Sequence, residues 1–271
     1  MRLPFTKMEG CGNDYVYVDG VTHAFPIDRA GELSERWSDR HFGIGADGLI
    51  VLARDDDGSL RMLMWNADGS RGAMCGNGLR CLARFAEACG HAPGRAFVMQ
   101  TDAGPRAVEL LDDDQVRTDM GEVRLAEPRA IEVAGRTWTF VPGDAGNPHA
   151  VTFVADVDTA PVHEVGAEMQ QHPDFVGGVN VEFVQALGSD RVRQRTFERG
   201  SGETFACGTG AAVVALAARR AGNIQGPVAY VQLLGGTLSV IGEGPSLAIE
   251  GPARTVFSGE IDLPTAAGDA D

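Results

Sequence analysis

Cys207-Gly208-Thr209-Gly210 runs without a break into Ala211-Ala212-Val213-Val214-Ala215-Leu216-Ala217-Ala218, and the fold depends on how that stretch is read. A helix apolar almost all the way round has no face for water, so it belongs at the centre of a structure rather than on its surface. The elements around it must then curl to cover it. The same arrangement occurs earlier in the chain. Cys75-Gly76-Asn77-Gly78 precedes Leu79-Arg80-Cys81-Leu82-Ala83-Arg84-Phe85-Ala86, so both helices open on Cys-Gly-x-Gly. Each motif follows a Gly/Ser-rich approach, Asp68-Gly69-Ser70-Arg71-Gly72-Ala73-Met74 and Arg199-Gly200-Ser201-Gly202-Glu203-Thr204-Phe205-Ala206. Two copies in matching contexts form an internal repeat.

Outward from the helices lie short strand-type segments divided by turn residues. Tyr15-Val16-Tyr17-Val18, Leu49-Ile50-Val51-Leu52 and Arg61-Met62-Leu63-Met64-Trp65 precede the first helix, and Ala107-Val108-Glu109-Leu110 follows it. Ala150-Val151-Thr152-Phe153-Val154, Val181-Glu182-Phe183-Val184 and Arg191 to Phe197 precede the second, with Gly236 to Val240 and Leu247 to Glu250 after it. The expected class is α+β: two pseudo-symmetric halves, each a curved, mainly antiparallel sheet wrapped around a central helix. The halves are expected at residues 1–119, carrying Cys75, and 120–259, carrying Cys207, with 260–271 returning to the first half. A chain of 271 residues accommodates one large domain or two modest ones.

Composition narrows the function. A net charge of -15 argues against nucleic acid or an anionic membrane as partner. No stretch approaches the roughly 20 apolar residues of a membrane-spanning helix, and Met1 to Lys7 lacks the apolar run of a signal peptide, so a cytoplasmic location is expected. Asp55-Asp56-Asp57 and Asp112-Asp113-Asp114 read as solvated loops. Lys7 is the only lysine, which makes a pyridoxal-phosphate Schiff base remote. The five cysteines have no zinc-type spacing, and reduced thiols are expected.

A cysteine just ahead of a helix meets unpartnered backbone N–H groups and the positive end of the helix dipole, which eases its ionisation. The flanking glycines let a carboxylate approach the same amides. Opposed across one carbon, one thiolate removes the α-proton of an amino acid while the other thiol donates to the opposite face. This scheme needs no metal or organic cofactor. Cys11, Cys81 and Cys89 lack such a context and read as packing residues. A single Cys-Gly-x-Gly also fits a tight strand-to-helix turn, so the case rests on the pair.

The chain resembles diaminopimelate epimerase along nearly its whole length. The resemblance is carried by Phe5-Thr6-Lys7-Met8-Glu9-Gly10-Cys11-Gly12-Asn13-Asp14, Arg40-His41-Phe42-Gly43-Ile44-Gly45-Ala46-Asp47-Gly48, Trp65-Asn66-Ala67-Asp68-Gly69-Ser70 and Met74-Cys75-Gly76-Asn77-Gly78. It continues in Gly146-Asn147-Pro148-His149, Asn180, Glu198-Arg199-Gly200-Ser201-Gly202-Glu203-Thr204 and Ala206-Cys207-Gly208-Thr209-Gly210. The resemblance implies interconversion of LL- and meso-2,6-diaminopimelate in lysine and peptidoglycan precursor biosynthesis, by a homodimer. It implies that Cys207 accepts the proton and Cys75 donates it in the LL-to-meso direction. Gly76, Asn77, Gly208 and Thr209 would line the carboxylate cradle. Asn13, Asn66, Asn147, Asn180, Glu198 and Arg199 would bind the substrate's polar groups, and His149 and Glu198 would tune the thiols. Some members have a substrate-contacting glutamine where this chain has Gly48; His41 and Asp47 read as structural. The alternatives are a proline or hydroxyproline racemase with the same thiol pair, a one-nucleophile cysteine hydrolase or transferase, and a binder without catalysis.

Overall fold

The computed structural model describes residues 2–263. The first half runs β1 (Arg2–Gly10), β2 (Asn13–Asp19), α1 (Ala30–Ser38), β3 (Gly48–Arg54), β4 (Leu60–Asn66) and β5 (Arg71–Gly72). It continues through α2 (Gly76–Ala88), β6 (Ala96–Gln100), β7 (Arg106–Leu110) and β8 (Gln115–Glu122). After β9 (Arg124–Leu125) and β10 (Arg129–Val133), the order recurs as β11 (Arg136–Asp144), β12 (Pro148–Phe153), α3 (Val162–Met169), β13 (Asn180–Ala186), β14 (Arg191–Glu198) and β15 (Gly202–Thr204). It ends with α4 (Gly208–Arg220), β16 (Val228–Leu233), β17 (Gly236–Ile241), β18 (Ser246–Pro252) and β19 (Arg254–Asp262).

The repeat extends to strand pairing. β2 and β3 are parallel, β3 and β4 antiparallel, and β4 pairs with β5 and, beyond the helix, in parallel with β6. β12 and β13, β13 and β14, β14 with β15, and β14 with β16 repeat these relations. The expected α+β class with mainly antiparallel pairing is what the chain adopts. By register, Tyr15 corresponds to His149, Gly48 to Asn180, Ile50 to Glu182, Met62 to Gln194, Met64 to Thr196, and Asn66 to Glu198.

Alternation sorts each strand between two cores. On β2 and β3, Tyr15, Tyr17, Ile50 and Leu52 face the cluster around α2, while Val16, Val18, Leu49 and Val51 face the one under α1. On β13, Val181 and Phe183 pack toward α3, and Val184 packs toward α4. Burial of both faces explains the apolar strands, since each fully buried branched or aromatic side chain contributes about 1.5–3 kcal/mol. α4 is buried on nearly every side, as its composition predicts.

The halves share their sheet. β8 pairs with β7 on one side and with β18 on the other, so the expected division between residues 119 and 120 falls inside a strand common to both. β19 lies antiparallel to β1, as β10 does to β11. β19 begins at Arg254, ahead of the expected residue 260, and residues 264–271 of the expected returning segment lie outside the described residues. Cys11 (φ 54°) and Gly12 (φ 82°) turn the chain between β1 and β2. Both being left-handed, they fit the tight hairpin turn that matches strand twist, and Cys11 is buried in the α4 cluster.

Candidate active site

Each motif cysteine is the N-cap of its helix. Cys75 (φ -129°, ψ 122°) and Cys207 (φ -120°, ψ 108°) are extended, and each Sγ accepts the N–H of the residue three positions on, Gly78 or Gly210, at 3.4 Å. Sulfur thus takes the place of a Ser or Asp oxygen at the cap. The two helix starts meet. Asn77, two residues after Cys75, donates from Nδ2 to the carbonyl of Ala206, the residue before Cys207, at 3.2 Å. Arg80, fully buried, donates from Nη2 to Asn77 Oδ1 at 2.8 Å and so fixes the orientation of that amide.

Around Cys75, the thiol donates to Asn13 Oδ1 at 3.2 Å, and Asn77 Nδ2 reaches the same oxygen at 3.4 Å. Asn13 Nδ2 donates to Asp47 Oδ2 at 2.6 Å, and Arg40 holds both Asp47 and Asp14. Asp47 therefore orients a proposed substrate residue, a role its loop sequence did not reveal. His41 is exposed. Buried Tyr15 packs in the same cluster as Cys75. Asn66 closes β4 half-buried, with Nδ2 on Ser70 Oγ at 2.9 Å. A Cβ at Gly48 would lie 2.2 Å from the Trp65 carbonyl, so a glutamine there requires a different backbone. Lys7 is taken up by Asp14 at 2.8 Å and by the Gly45 carbonyl.

Around Cys207 the lining is polar. His149, on β12, places Nδ1 2.7 Å from Glu182 Oε1 and Nε2 3.0 Å from Asn147 Oδ1. Glu182 is 0% exposed and Oε2 has no partner among the described residues; neither has Gln194 Oε1, while Gln194 Nε2 donates to Thr196 Oγ1 at 2.8 Å. Thr209 Oγ1 is 3.4 Å from Cys207 Sγ. Glu198 accepts from Thr204 Oγ1 at 2.5 Å. Buried Asn180 accepts the Arg199 backbone N–H at 2.8 Å, and the Arg199 side chain lies at the surface. Gly76 and Gly208 are buried in the first turns of their helices.

The electrostatics differ from the sequence expectation. Burial pushes the Cys75 thiol up, against the opposing Gly78 N–H and Tyr15 hydroxyl. Cys207 is pushed well up by burial and then by the charges of Glu198 and Glu182, which outweigh the Thr209 hydroxyl and the Gly210 N–H. The helix starts favour the thiolates, but enclosure dominates. Glu198 is also raised, chiefly by burial, with the Glu182 charge adding and the Thr204 bond opposing. Burial takes Cys81 up to about 12 and Cys89 up to about 11, in keeping with packing roles. His149, Glu182 and Cys207 have donor atoms within 4.8 Å of one another, a spacing a metal ion tolerates. Both ring nitrogens of His149 are already engaged, so coordination would break one of its hydrogen bonds.

A family model described as diaminopimelate epimerase matches residues 5–126 and 143–255, a span that includes both thiols and every residue placed around them. The chain belongs to the diaminopimelate epimerase family. Among relatives bearing that name, one from Aromatoleum aromaticum is 43% identical over 280 residues, covering 97% of this chain and 100% of its own. One from Leptospira biflexa is 39% identical over 283 residues, with the same coverage of 97% and 100%. Family membership makes the protein an isomerase of the epimerase type. Two solved structures share the fold. A Bacillus anthracis phenazine biosynthesis protein of the PhzF family superposes with a TM-score of 0.78 at 14% identity, covering 97% of this chain and 100% of that one. A hydroxyproline epimerase from Agrobacterium vitis gives 0.70 at 18% identity, covering 98% and 94%. No described helix is long and apolar enough to cross a membrane.

Proposed function

We propose that the protein interconverts LL- and meso-2,6-diaminopimelate through two opposed cysteines, supplying lysine and peptidoglycan precursors. The observation that carries this reading is the bond from Asn77 to the Ala206 carbonyl, which holds one cysteine-capped helix start against the other. In the LL-to-meso direction the Cys207 thiolate takes the α-proton and the Cys75 thiol gives its own to the opposite face, leaving a thiol at Cys207 and a thiolate at Cys75. The reacting carboxylate, held by the amides of Gly76, Asn77, Gly208 and Thr209, gains enolate character in the transition state, where preorganised N–H donors contribute most. Asn13, Asn66, Asn147, Asn180, Glu198 and Arg199 bind the ammonium and carboxylate groups, with Arg199 suited to fork onto the distal carboxylate. His149 and Glu198 set the protonation of the thiols.

The reading includes a division into halves near residues 119 and 120, a cytoplasmic location and a homodimer. The test is incubation with LL-diaminopimelate in deuterium oxide, with proline alongside. Deuterium at one α-carbon together with inversion supports the reading, and turnover of proline in its place overturns it. C75A and C207A should each lose at least about 10²-fold in rate, the scale on which a general acid or base acts. Retention of most activity in either variant rules out the two-base mechanism.

A further inference from the structure

The two pseudo-symmetric sites are lined by different chemistry. Under Cys75 the register places Tyr15, Ile50 and Met62; under Cys207 the same three positions hold His149, Glu182 and Gln194. The correspondence is spatial as well as sequential. A Cβ on Gly78 would meet Ile50 and Met62, and one on Gly210 would meet Glu182 and Gln194. Among the described residues, only the second half therefore has a proton acceptor beneath its sulfur.

The hydrogen-bond partners constrain where protons can sit. Cys75 Sγ lies 3.2 Å from Asn13 Oδ1, an acceptor that suits a protonated thiol. Tyr15 answers with a hydroxyl, which at neutral pH donates and accepts but does not take a second proton. On the other side, both nitrogens of His149 face oxygen acceptors, Glu182 Oε1 at 2.7 Å and Asn147 Oδ1 at 3.0 Å. A neutral imidazole has one N–H and cannot serve both. With the Asn147 amide oxygen on that side, the His149–Glu182 pair has a place for one proton beyond those of a neutral ring and an ionised carboxylate. A carboxylate with 0% exposure and an unpartnered Oε2 is costly on its own, and a charged imidazolium against it offsets much of that cost.

We propose that Glu182 is a positioning residue that holds His149 as the acceptor of the Cys207 proton, so that the free enzyme rests with Cys207 ionised and Cys75 protonated. The transfer is balanced: the Sγ–H bond of Cys207 breaks, the proton joins the His149–Glu182 pair, and nothing is oxidised or reduced. Loss of that proton to solvent would add a negative charge to an enclosed site that already faces Glu182 and Glu198. Internal transfer leaves the net charge of the cluster unchanged, so enclosure opposes it far less. The ionisable groups facing Cys207 are His149 from β12, Glu182 from β13 and Glu198 from β14. Glu198 is the competing acceptor, but its carboxylate already accepts the Thr204 hydroxyl at 2.5 Å, and the proposed function uses its charge for the substrate ammonium.

The assignment rests on the two-thiol reading but is tested without substrate, so the two fail separately. Thiolate absorbance near 240 nm is followed with pH in the parent, C75A, C207A, E182Q and E198Q. At neutral pH the parent should show one thiolate that C207A removes and C75A leaves. In E182Q that signal should disappear at neutral pH and return only above the ordinary thiol range of about 8.5. The double variant E182I/Q194M, which gives the second half residues of the kind that fill the first, should behave as E182Q does and serves if E182Q folds poorly. A neutral-pH signal that survives in both Glu182 variants, one that C207A leaves in place, or one lost in E198Q but not E182Q overturns the assignment.

Discussion

Arg80 donates to Asn77 Oδ1 at 2.8 Å from a site with no exposure to solvent, and Asn77 in turn donates across the molecule to Ala206. A guanidinium buried in one half thus sets the bond that joins the two cysteine-bearing helix starts. Its Nε also reaches the Pro252 carbonyl, at 3.4 Å, where β18 ends.

R80M should therefore reduce activity without touching substrate. Methionine fills much of the volume but leaves the Asn77 oxygen and the Pro252 carbonyl short of a donor, at about 1–3 kcal/mol for each buried group left unpaired. A fall in melting temperature of roughly 5 °C or more is expected, with a loss of about tenfold in kcat as Asn77 becomes free to rotate. Differential scanning calorimetry and a chiral chromatographic assay on the same preparation check both. An R80M enzyme with parental kcat would show that Asn77 needs no anchor.

Gly78 and Gly210 correspond in the repeat but should differ in tolerance to alanine. At Gly78 a Cβ lies 2.6 Å from Ile50 Cδ1, the free end of a flexible side chain that can turn away. At Gly210 it lies 2.7 Å from Glu182 Oε1 and 3.2 Å from Cys207 Sγ, and Glu182 is tied to His149. G78A should keep activity within about tenfold, since overpacking that a side chain can relax costs little, whereas G210A should lose far more. Steady-state rates of the two variants decide this, and equal losses would remove the asymmetry.

Glu198 offers a test by pH. Burial, with the Glu182 charge, raises its carboxyl in the folded protein, so the folded state binds that proton more tightly than the unfolded one. The penalty for ionising it is absent below the ordinary carboxylate range and grows as pH rises through the folded-state titration. E198Q, which keeps an oxygen for the Thr204 hydroxyl, should melt roughly 2–4 °C above the parent at pH 7, the shift expected from about 1 kcal/mol in a protein of this size. The gain should vanish near pH 4, and the variant should be inactive. A gain that persists at low pH would assign the stabilisation to packing.

Oxidation gives a further measurement. Opposed sulfurs that serve one carbon lie close to disulfide range, so mild oxidant should link Cys75 to Cys207 and a thiol reductant should restore activity. Peptide mapping of the inactive protein should find that crosslink, with Cys11 and Cys81, both buried, still reduced. Free Cys75 and Cys207 in fully inactivated protein would count against it.

The legible parts of this protein were the local ones. Cys75 and Cys207 were visible because a helix start, a glycine pair and an apolar helix lie next to one another in sequence. Glu182 was not. In Val181-Glu182-Phe183-Val184 it reads as the solvent-facing residue of an alternating strand, and only the covering of both faces of β13 turns it inward. Arg80 was hidden for the same reason, since a charged residue between Leu79 and Cys81 looks like the wet side of a helix until β18 closes over it. The expected division at residues 119 and 120 meets β8, a strand bonded to β7 and to β18, and no linker marks such a place in the sequence.

β19 supplies the flank of β1 and follows every other described strand in the chain. During synthesis the amino-terminal half therefore waits, one edge open, until the ribosome has delivered nearly all of the polypeptide, while the later half holds its own flanking strand, β10, in sequence. Translation order alone makes the half made first the half finished last. A nascent chain stalled before Arg254 would present β1 as an unpaired edge, open to any other strand within reach.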